Sequence, residues 1–139
     1  YWMEQISLIP PAPMLPLQKD PSVIRKPQFA RIEKVIPKSE WNVLQKEAKK
    51  KGITTSTLLC TAYALVLGYW SNQPELTINV TVFTRYPFNE GVTDIVGDFT
   101  SVILLRVNLL GRSDFWKLAS EIQNQLMDAL EHRHYDGDS

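Results

Sequence analysis

The sequence lacks the features that mark several large protein classes. It has one cysteine, Cys60, so an internal disulfide is impossible, and 15 basic residues balance 15 acidic ones. A chain without net charge has no global attraction for nucleic acid or for an anionic membrane. Its apolar runs are too short to cross a bilayer, and no charged-then-apolar signal peptide opens it. These absences permit a cytoplasmic location.

Motifs for many kinds of catalysis are missing as well. The sequence contains no glycine-rich phosphate loop, no dinucleotide fingerprint, no Cys/His spacing for structural zinc and no nucleophile elbow. His132, His134, Asp136 and Asp138 have the composition of a metal cluster. They follow a helix in a fraying tail, however, where a cationic helix end with solvated acids is the better interpretation. The residues alone predict no metal site, no bound cofactor and no particular reaction.

Proline separates the start of the chain from the rest. Six of the 9 prolines fall before residue 29. Each proline fixes its own backbone angle and pushes the preceding residue toward extended geometry. We interpret residues 1–28 as an extended connector anchored by interleaved aliphatic side chains, and residues 29–139 as folded. A proline-rich recognition ligand is the alternative for the connector.

Hydrophobic periodicity predicts alternating strands and helices after the connector. The predicted strands cover residues 29–36, 76–83 and 102–105. The predicted helices begin at caps formed by Ser39, by the stretch 54–56 and by Ser113, which is followed by Asp114 in the first turn. The second helix, Thr57 to Trp70, is apolar on nearly every side and is therefore predicted to be buried on two sides. The order predicts an α/β two-layer sandwich, with a mixed sheet and helices on one face.

A polar stretch precedes the last predicted strand. Asp98 and Thr100 are two residues apart, so on an extended chain they point to the same side while Phe99 points to the other. An acid and a hydroxyl at the mouth of a strand could form the floor of a site. The alternative is that Asp98 only caps or braces the start of the strand. The spacing leaves both interpretations open.

Basic residues cluster at the end of the first long helix. Lys46, Lys49, Lys50 and Lys51 occupy its last turns. They form either a solvated face that complements the helix dipole or a docking patch for an acidic partner.

Five stretches, in order along the chain, carry a family resemblance. They are Tyr1-Trp2 with residues 8–17, Thr54–Leu59 with the apolar helix that follows, Thr84-Arg85-Tyr86-Pro87, Gly97–Ser101, and Leu130–Tyr135. Together they resemble the heterocyclization domains of nonribosomal peptide synthetases, which are variants of condensation domains. The resemblance covers essentially the whole chain. One departure is Thr84, which stands where the family commonly has Asn.

The resemblance implies a fold and an activity. Condensation domains are built like chloramphenicol acetyltransferase, from two similar halves around a tunnel, and residues 29–139 would be part of the C-terminal half. The whole domain joins a carrier-bound acyl or peptidyl thioester to Cys, Ser or Thr. It then cyclizes that side chain onto the new amide and expels water, which gives a thiazoline or an oxazoline. The substrates arrive on the phosphopantetheine of carrier domains, so no cofactor is bound directly.

The resemblance also implies site residues. Asp98, Phe99 and Thr100 would line the substrate tunnel, and Thr84 and Arg85 would belong to the same wall. Arg85 is expected to hold that wall by pairing with Asp98.

The implied partners are carrier domains, the N-terminal half of the same domain and an adjacent adenylation domain. The family's paired-aspartate motif and the catalytic Thr and Asp of cyclodehydration lie outside this sequence, so we expect the chain alone to be inactive. We also expect the chain to self-associate into a homo-oligomer, because separation from the other half would expose the apolar surface where that half belongs.

Two alternatives to heterocyclization stay open. The first is an ordinary condensation half-domain, against which the sequence Gly97-Asp98-Phe99-Thr100 argues. The second is a non-catalytic module that binds a carrier domain, for which the lysine cluster would suit an acidic partner.

Overall fold

The computed structural model describes residues 2–85, 90–111 and 114–133. The elements in chain order are α1 (Trp2–Ile6), a 3-10 turn (Pro21–Val23), α2 (Lys38–Lys50), α3 (Thr55–Ser71), β1 (Glu75–Phe83), a 3-10 turn (Val92–Asp94), β2 (Thr100–Asn108) and α4 (Phe115–Glu131). The predicted strands at residues 76–83 and 102–105 are confirmed as β1 and β2.

The two strands form an antiparallel pair that carries the core on one face. Leu76 of β1 lies opposite Val107 of β2, and Phe83 lies opposite Thr100. The inward side chains of both strands pack against α3 and α4 in one cluster, in which Leu105 and Ile122 are each 1% exposed. This arrangement confirms the α/β class with helices on one sheet face. The parallel neighbour that a mixed sheet requires is not among the described residues.

The strand predicted over residues 29–36 does not form among the described elements. The side chains of Phe29, Ile32 and Val35 are 95%, 98% and 86% exposed. A strand needs a partner edge for its backbone N–H and C=O groups, and this segment pairs with neither β1 nor β2. The apolar pattern therefore predicted a strand for which the described residues provide no partner edge.

The N-terminal connector is tied to the sheet at several points. Thr77 of β1 donates from its backbone N–H to Pro11 O at 3.1 Å and from its hydroxyl to Pro10 O at 2.5 Å. Further along, the N–H of Met14 donates to Gln73 Oε1 at 2.6 Å. The connector begins with the short helix α1, which the sequence analysis did not predict. The boundary at residue 28 remains a prediction.

Two of the three predicted helix caps need correction. α2 begins at Lys38, ahead of the predicted cap Ser39, because the Pro37 carbonyl already accepts the first helical hydrogen bond, from Trp41 N at 3.0 Å. The cap of α4 is Asp114, whose carboxylate accepts from Trp116 N at 2.8 Å. The predicted cap Ser113 lies outside the described residues.

The cap of α3 is confirmed as predicted. Thr54 Oγ1 accepts from Thr57 N at 3.2 Å, which satisfies one of the free N–H groups at the helix start.

α3 is buried on one side only, which corrects the prediction of burial on two sides. Its inner side, including Ala64 and Leu67, joins the core. Its outer side carries large apolar side chains that are 51% to 81% exposed: Leu59, Tyr63, Val66, Tyr69 and Trp70. We call these five residues the outer face of α3. In the part of the chain that the structure describes, no element covers this face, so it is available to a partner.

Among the described helices, none is by itself long and apolar enough to cross a membrane. Only α2 and α3 taken together pass that test of length and composition, and they are bent by 103° at the break between them.

Candidate functional site

The antiparallel pairing of β1 and β2 brings the predicted site residues together. β1 ends where β2 begins, so Thr84 and Arg85 emerge beside Phe99. Thr84 donates to Phe99 O from both its backbone N–H and its hydroxyl, each at 2.8 Å. These two hydrogen bonds hold the end of β1 against the start of β2. The hydroxyl at position 84 therefore has a defined role of its own.

Asp98 braces the first residue of β2. Its Oδ1 accepts from Thr100 N at 2.8 Å. Hydrogen bonds from the Thr100 side chain and then from its backbone N–H hold the pKa of the Asp98 carboxyl below its ordinary value. The carboxylate is thus ionised at neutral pH and lies at the surface, where Thr100 is exposed as well. This geometry agrees with the bracing role that the sequence analysis left open.

The predicted ion pair between Arg85 and Asp98 is wrong. Both residues are described by the structure, and their side chains form no salt bridge with each other. The Nη atoms of Arg85 face backbone carbonyls instead, and its Nε is buried without a hydrogen-bond partner. Nη1 donates to the carbonyls of Val92 and Thr93 at 3.1 and 2.8 Å, and Nη2 donates to the carbonyl of Ile95 at 2.9 Å.

Aromatic rings complete the surroundings of Arg85. Its Cζ lies 4.0 Å from the ring centroid of Phe99 and 5.8 Å from that of Phe83. The two rings are themselves 6.3 Å apart and inclined at 57°. A cation over the face of an aromatic ring is attracted by the ring's quadrupole, and more strongly when it is shielded from water. We call the carbonyls of Val92, Thr93 and Ile95 together with the Phe99 ring the Arg85 cage.

Two lysines of the predicted docking patch are engaged within the chain. Lys50 Nζ lies 2.6 Å from Glu47 Oε1, one turn earlier on the same helix. Lys51 Nζ lies 5.4 Å from the ring centroid of Trp116 on α4. Their charges are therefore partly neutralised or oriented by neighbours.

The other two lysines face an open concavity. Lys46 and Lys49 line a surface cavity of about 500 Å³ together with Gln45, Ile53, Thr54 and Thr55. Neither forms an ion pair with another described residue. Lys46 and Lys49 are thus the members of the patch that are positioned to meet an acidic group from outside.

Gln123, which no sequence pattern indicated, holds the loop between α2 and α3 in place. Its Nε2 donates to Gly52 O at 2.5 Å, and its Oε1 accepts from Thr54 N at 2.8 Å. The side chain thereby fixes the residue that caps α3. No pattern could have identified it, because a single Gln on a half-exposed helix side carries no positional signal.

No group of three potential metal ligands occurs within residues 2–85, 90–111 and 114–133. His134, Asp136 and Asp138, which with His132 have the composition of a metal cluster, lie outside those ranges.

Comparison with known proteins decides the family. The family model described as "Condensation domain" matches residues 1–138. The chain belongs to the condensation-domain family. Solved condensation-domain structures share its fold: the first condensation domain of the CDA synthetase superposes with a TM-score of 0.63, at 18% identity over 73% of this chain and 22% of that one. The predicted fold class is thereby confirmed.

Several curated proteins are similar to this condensation-domain chain, and one of them is named for an oxazoline. Pyochelin synthetase PchE of Pseudomonas aeruginosa is 32% identical over 132 residues, which is 95% of this chain and 9% of that protein. Phenyloxazoline synthase MbtB of Mycobacterium tuberculosis is 31% identical over 137 residues, 99% of this chain and 10% of that protein. Bacitracin synthase 1 of Bacillus licheniformis is 44% identical over 138 residues, 99% of this chain and 3% of that protein.

A solved structure that contains a cyclization domain is also similar to this chain. The EpoB NRPS cyclization-docking bidomain from Sorangium cellulosum superposes with a TM-score of 0.83 at 37% identity, over 95% of this chain and 27% of that one. The family resemblance stated from the sequence motifs is therefore confirmed. This chain spans a tenth or less of the curated relatives named here and about a quarter of the bidomain.

Proposed function

We propose that this chain forms one wall of a condensation domain that makes thiazoline or oxazoline rings from Cys, Ser or Thr. The observation that carries the proposal is the similarity to a cyclization bidomain, at 37% identity and a TM-score of 0.83. The first condensation domain of the CDA synthetase is less similar, at 18% identity and a TM-score of 0.63. The difference favours the ring-forming branch over an ordinary condensation half-domain.

The proposed reaction has two steps with different demands. In the first, an amide bond forms as the amine of the acceptor attacks the thioester, and the carrier thiol leaves with a proton. In the second, the side-chain thiol or hydroxyl attacks the new amide carbon and gives its proton to a base. The former carbonyl oxygen then leaves as water, which carries away one proton from that side chain and one from the amide N–H, while a C=N bond forms. The second step needs both a base and an acid.

Asp98 does not suit the role of the acid in this scheme. Its lowered pKa keeps it ionised at neutral pH, and its Oδ1 is committed to Thr100 N at 2.8 Å. We assign to Asp98, Phe99 and Thr100 the task of shaping the tunnel wall, with Thr84 and Arg85 holding that wall in place. The acid and the base of cyclodehydration come from elsewhere in the complete domain.

The test is substitution of Asp98 in the complete synthetase. We expect Asp98→Ala to lower the rate of ring formation about tenfold, which corresponds to about 1.4 kcal/mol of transition-state stabilisation. Mass spectrometry separates the ring product from the uncyclized amide because they differ by one water. Asp94→Ala is the matched control, since Asp94 is an exposed acid of the neighbouring turn. Ring formation at the wild-type rate by a folded Asp98→Ala enzyme would reduce this stretch to a structural brace.

Carrier-domain binding is the second function that an observation favours. We propose that Lys46 and Lys49 contact an acidic carrier domain at the open concavity of about 500 Å³ beside the start of α3. Attraction between opposite charges raises the association rate and weakens as salt screens it. The other partners that we propose are the N-terminal half of the same domain and an adjacent adenylation domain.

Charge reversal in two matched pairs tests the docking proposal. Lys46→Glu with Lys49→Glu should weaken carrier binding at low salt and flatten its salt dependence. Lys50→Glu with Lys51→Glu makes the same change in net charge at residues already engaged within the chain. An equal loss in both pairs would indicate a general charge effect and would count against a site at the concavity.

A further inference from the structure

We propose that the outer face of α3 binds the same face on a second copy of the chain, with the two α3 helices antiparallel. Each copy would then cover an apolar surface that no described element of the other copy covers. Association between copies is independent of the ring-forming function proposed above.

Four exposed residues of α3 repeat at the spacing of a coiled-coil seam. They follow one another in steps of four, three and four residues: Leu59, Tyr63, Val66 and Trp70. At 3.6 residues per turn these steps place all four in one narrow stripe, and coiled coils use the same average repeat of 3.5 residues. We call these four residues the α3 seam. Side chains at this spacing insert between those of a second helix, so the seam favours a helix as its partner.

The second helix can be α3 of another copy because the helix carries no charge. All 17 residues of α3 are uncharged, so two identical faces can meet without repulsion. A twofold axis perpendicular to α3 makes the two helices antiparallel, which brings the positive end of each helix dipole beside the negative end of the other. In this arrangement Tyr63 of each copy lies beside Val66 of the other.

The exposed area of the outer face is sufficient for a weak dimer. Tyr63, Tyr69 and Trp70 are 56%, 81% and 60% exposed. Since an aromatic side chain buries roughly 150–250 Å², their exposed parts amount to about 400 Å², and Leu59 and Val66 bring the face to about 500 Å². Two copies would bury about 1,000 Å², the lower limit for a specific interface. We therefore expect a dissociation constant on the order of 10 µM.

The outer face is ordered before a partner binds. The rings of Tyr69 and Trp70 meet edge to face, with their centroids 6.0 Å apart and their planes at 89°. The inner side of the same helix is fixed in the core, where Ala64 is fully buried. Side chains that are already ordered lose little freedom on association, so more of the buried area contributes to affinity.

Sedimentation velocity of the complete synthetase over a range of concentrations tests the pairing. We expect a concentration-dependent dimer, and we expect Val66→Glu to raise its dissociation constant about a hundredfold, because a symmetric interface carries the new charge twice. Val43→Glu is the matched control, since it makes the same change on α2, outside the seam, at a valine that is 61% exposed against 53% for Val66.

Three results of this experiment would overturn the proposal. A synthetase that remains monomeric at about 100 µM, ten times the expected dissociation constant, would mean that its copies do not pair through this face. A dimer that Val66→Glu leaves intact would form through another surface. An equal loss in Val43→Glu would indicate a general effect of charge.

Mixtures of variants test the antiparallel arrangement. Tyr63→Lys and Val66→Glu should each weaken association of their own copies. When the two are mixed, the new lysine of one copy lies beside the new glutamate of the other, so the mixed dimer should be about tenfold tighter than either parent. Such rescue would also show that both variants are folded. Tyr63→Lys mixed with Tyr63→Glu is the control, because it introduces the same charges at positions that meet only in a parallel pair.

The two mixtures, followed by energy transfer between labelled copies, separate the possible arrangements. Rescue in the first mixture alone supports the antiparallel seam. Rescue in the control alone would mean that the helices are parallel and would overturn the proposed pairing. Equal rescue in both, or rescue in neither, would show that the two positions do not meet across the interface and would overturn it as well.

Discussion

Removing the side chain of Gln123 measures how much its two tertiary hydrogen bonds contribute to the free energy of unfolding. Gln123 sits in the middle of α4 and reaches the loop between α2 and α3, where it holds Gly52 O at 2.5 Å and Thr54 N at 2.8 Å. Gln123→Ala deletes both hydrogen bonds and leaves the helix itself intact. The change therefore reports how strongly α4 fixes the cap of α3.

The expected loss follows from these two contacts. A net hydrogen bond contributes about 1 kcal/mol to the free energy of unfolding, so two contribute about 2 kcal/mol. Both contacts lie at exposed positions, where water can replace the lost partners. Alanine also returns a few tenths of a kcal/mol because it is the better helix former. We expect the free energy of unfolding to fall by about 1 to 1.5 kcal/mol.

Urea unfolding measures this change directly. With a slope of about 2 kcal/mol per molar urea, the midpoint should fall by about 0.5 to 0.8 M. Gln125→Ala is the control, because it makes the same substitution two residues later on the same helix, at a residue that is also half-buried. If Gln123→Ala shifts the midpoint no more than Gln125→Ala does, the two hydrogen bonds of Gln123 contribute nothing to the free energy of unfolding, and the reasoning is refuted.

Three further predictions follow from single residues. Gly68→Ala should destabilise the chain by about 1 to 3 kcal/mol, because a Cβ there would overlap Leu109 Cδ1 and lie 3.3 Å from Gln73 O; adding Leu109→Ala should recover part of that loss in urea unfolding, and a simply additive double variant would contradict the overlap. The Asp98 carboxyl should titrate by NMR with a midpoint below 3.8, so that its stabilising effect is complete above that pH and disappears as the pH falls through the lower folded-state value; a midpoint at or above 3.8 would show that the brace to Thr100 is absent in solution. Burial raises the pKa of the Cys60 thiol, so iodoacetamide should alkylate it more slowly in the folded chain than in urea; equal rates would mean that the thiol is not shielded.

Local patterns in the sequence predicted those features that depend on neighbours along the chain. The Thr54 cap depends on its own side chain and on the N–H of Thr57 three residues later. The alternation from Leu76 to Phe83 identified β1, and its inward side chains reach the core because successive residues of a strand point to opposite faces.

Features that depend on distant partners escaped prediction. The segment 29–36 has a strand pattern, yet no pattern names the edge that such a strand would join. Arg85 was assigned to Asp98 on charge, whereas its Nη1 and Nη2 donate to the backbone carbonyls of Val92, Thr93 and Ile95. The same limit applies to Gln123, whose partners lie 69 and 71 residues away.

The composition of α3 determines how its outer face will respond to solution conditions. None of its 17 residues carries a charge, and Tyr69 and Trp70 are 81% and 60% exposed. A contact made by this face depends on hydration, so sodium sulfate should strengthen it, cooling should weaken it, and sodium chloride at moderate concentration should leave it unchanged. A contact through Lys46 and Lys49 should instead weaken as sodium chloride is added. The choice of salt alone can therefore show which of the two surfaces a partner uses, before any residue is mutated.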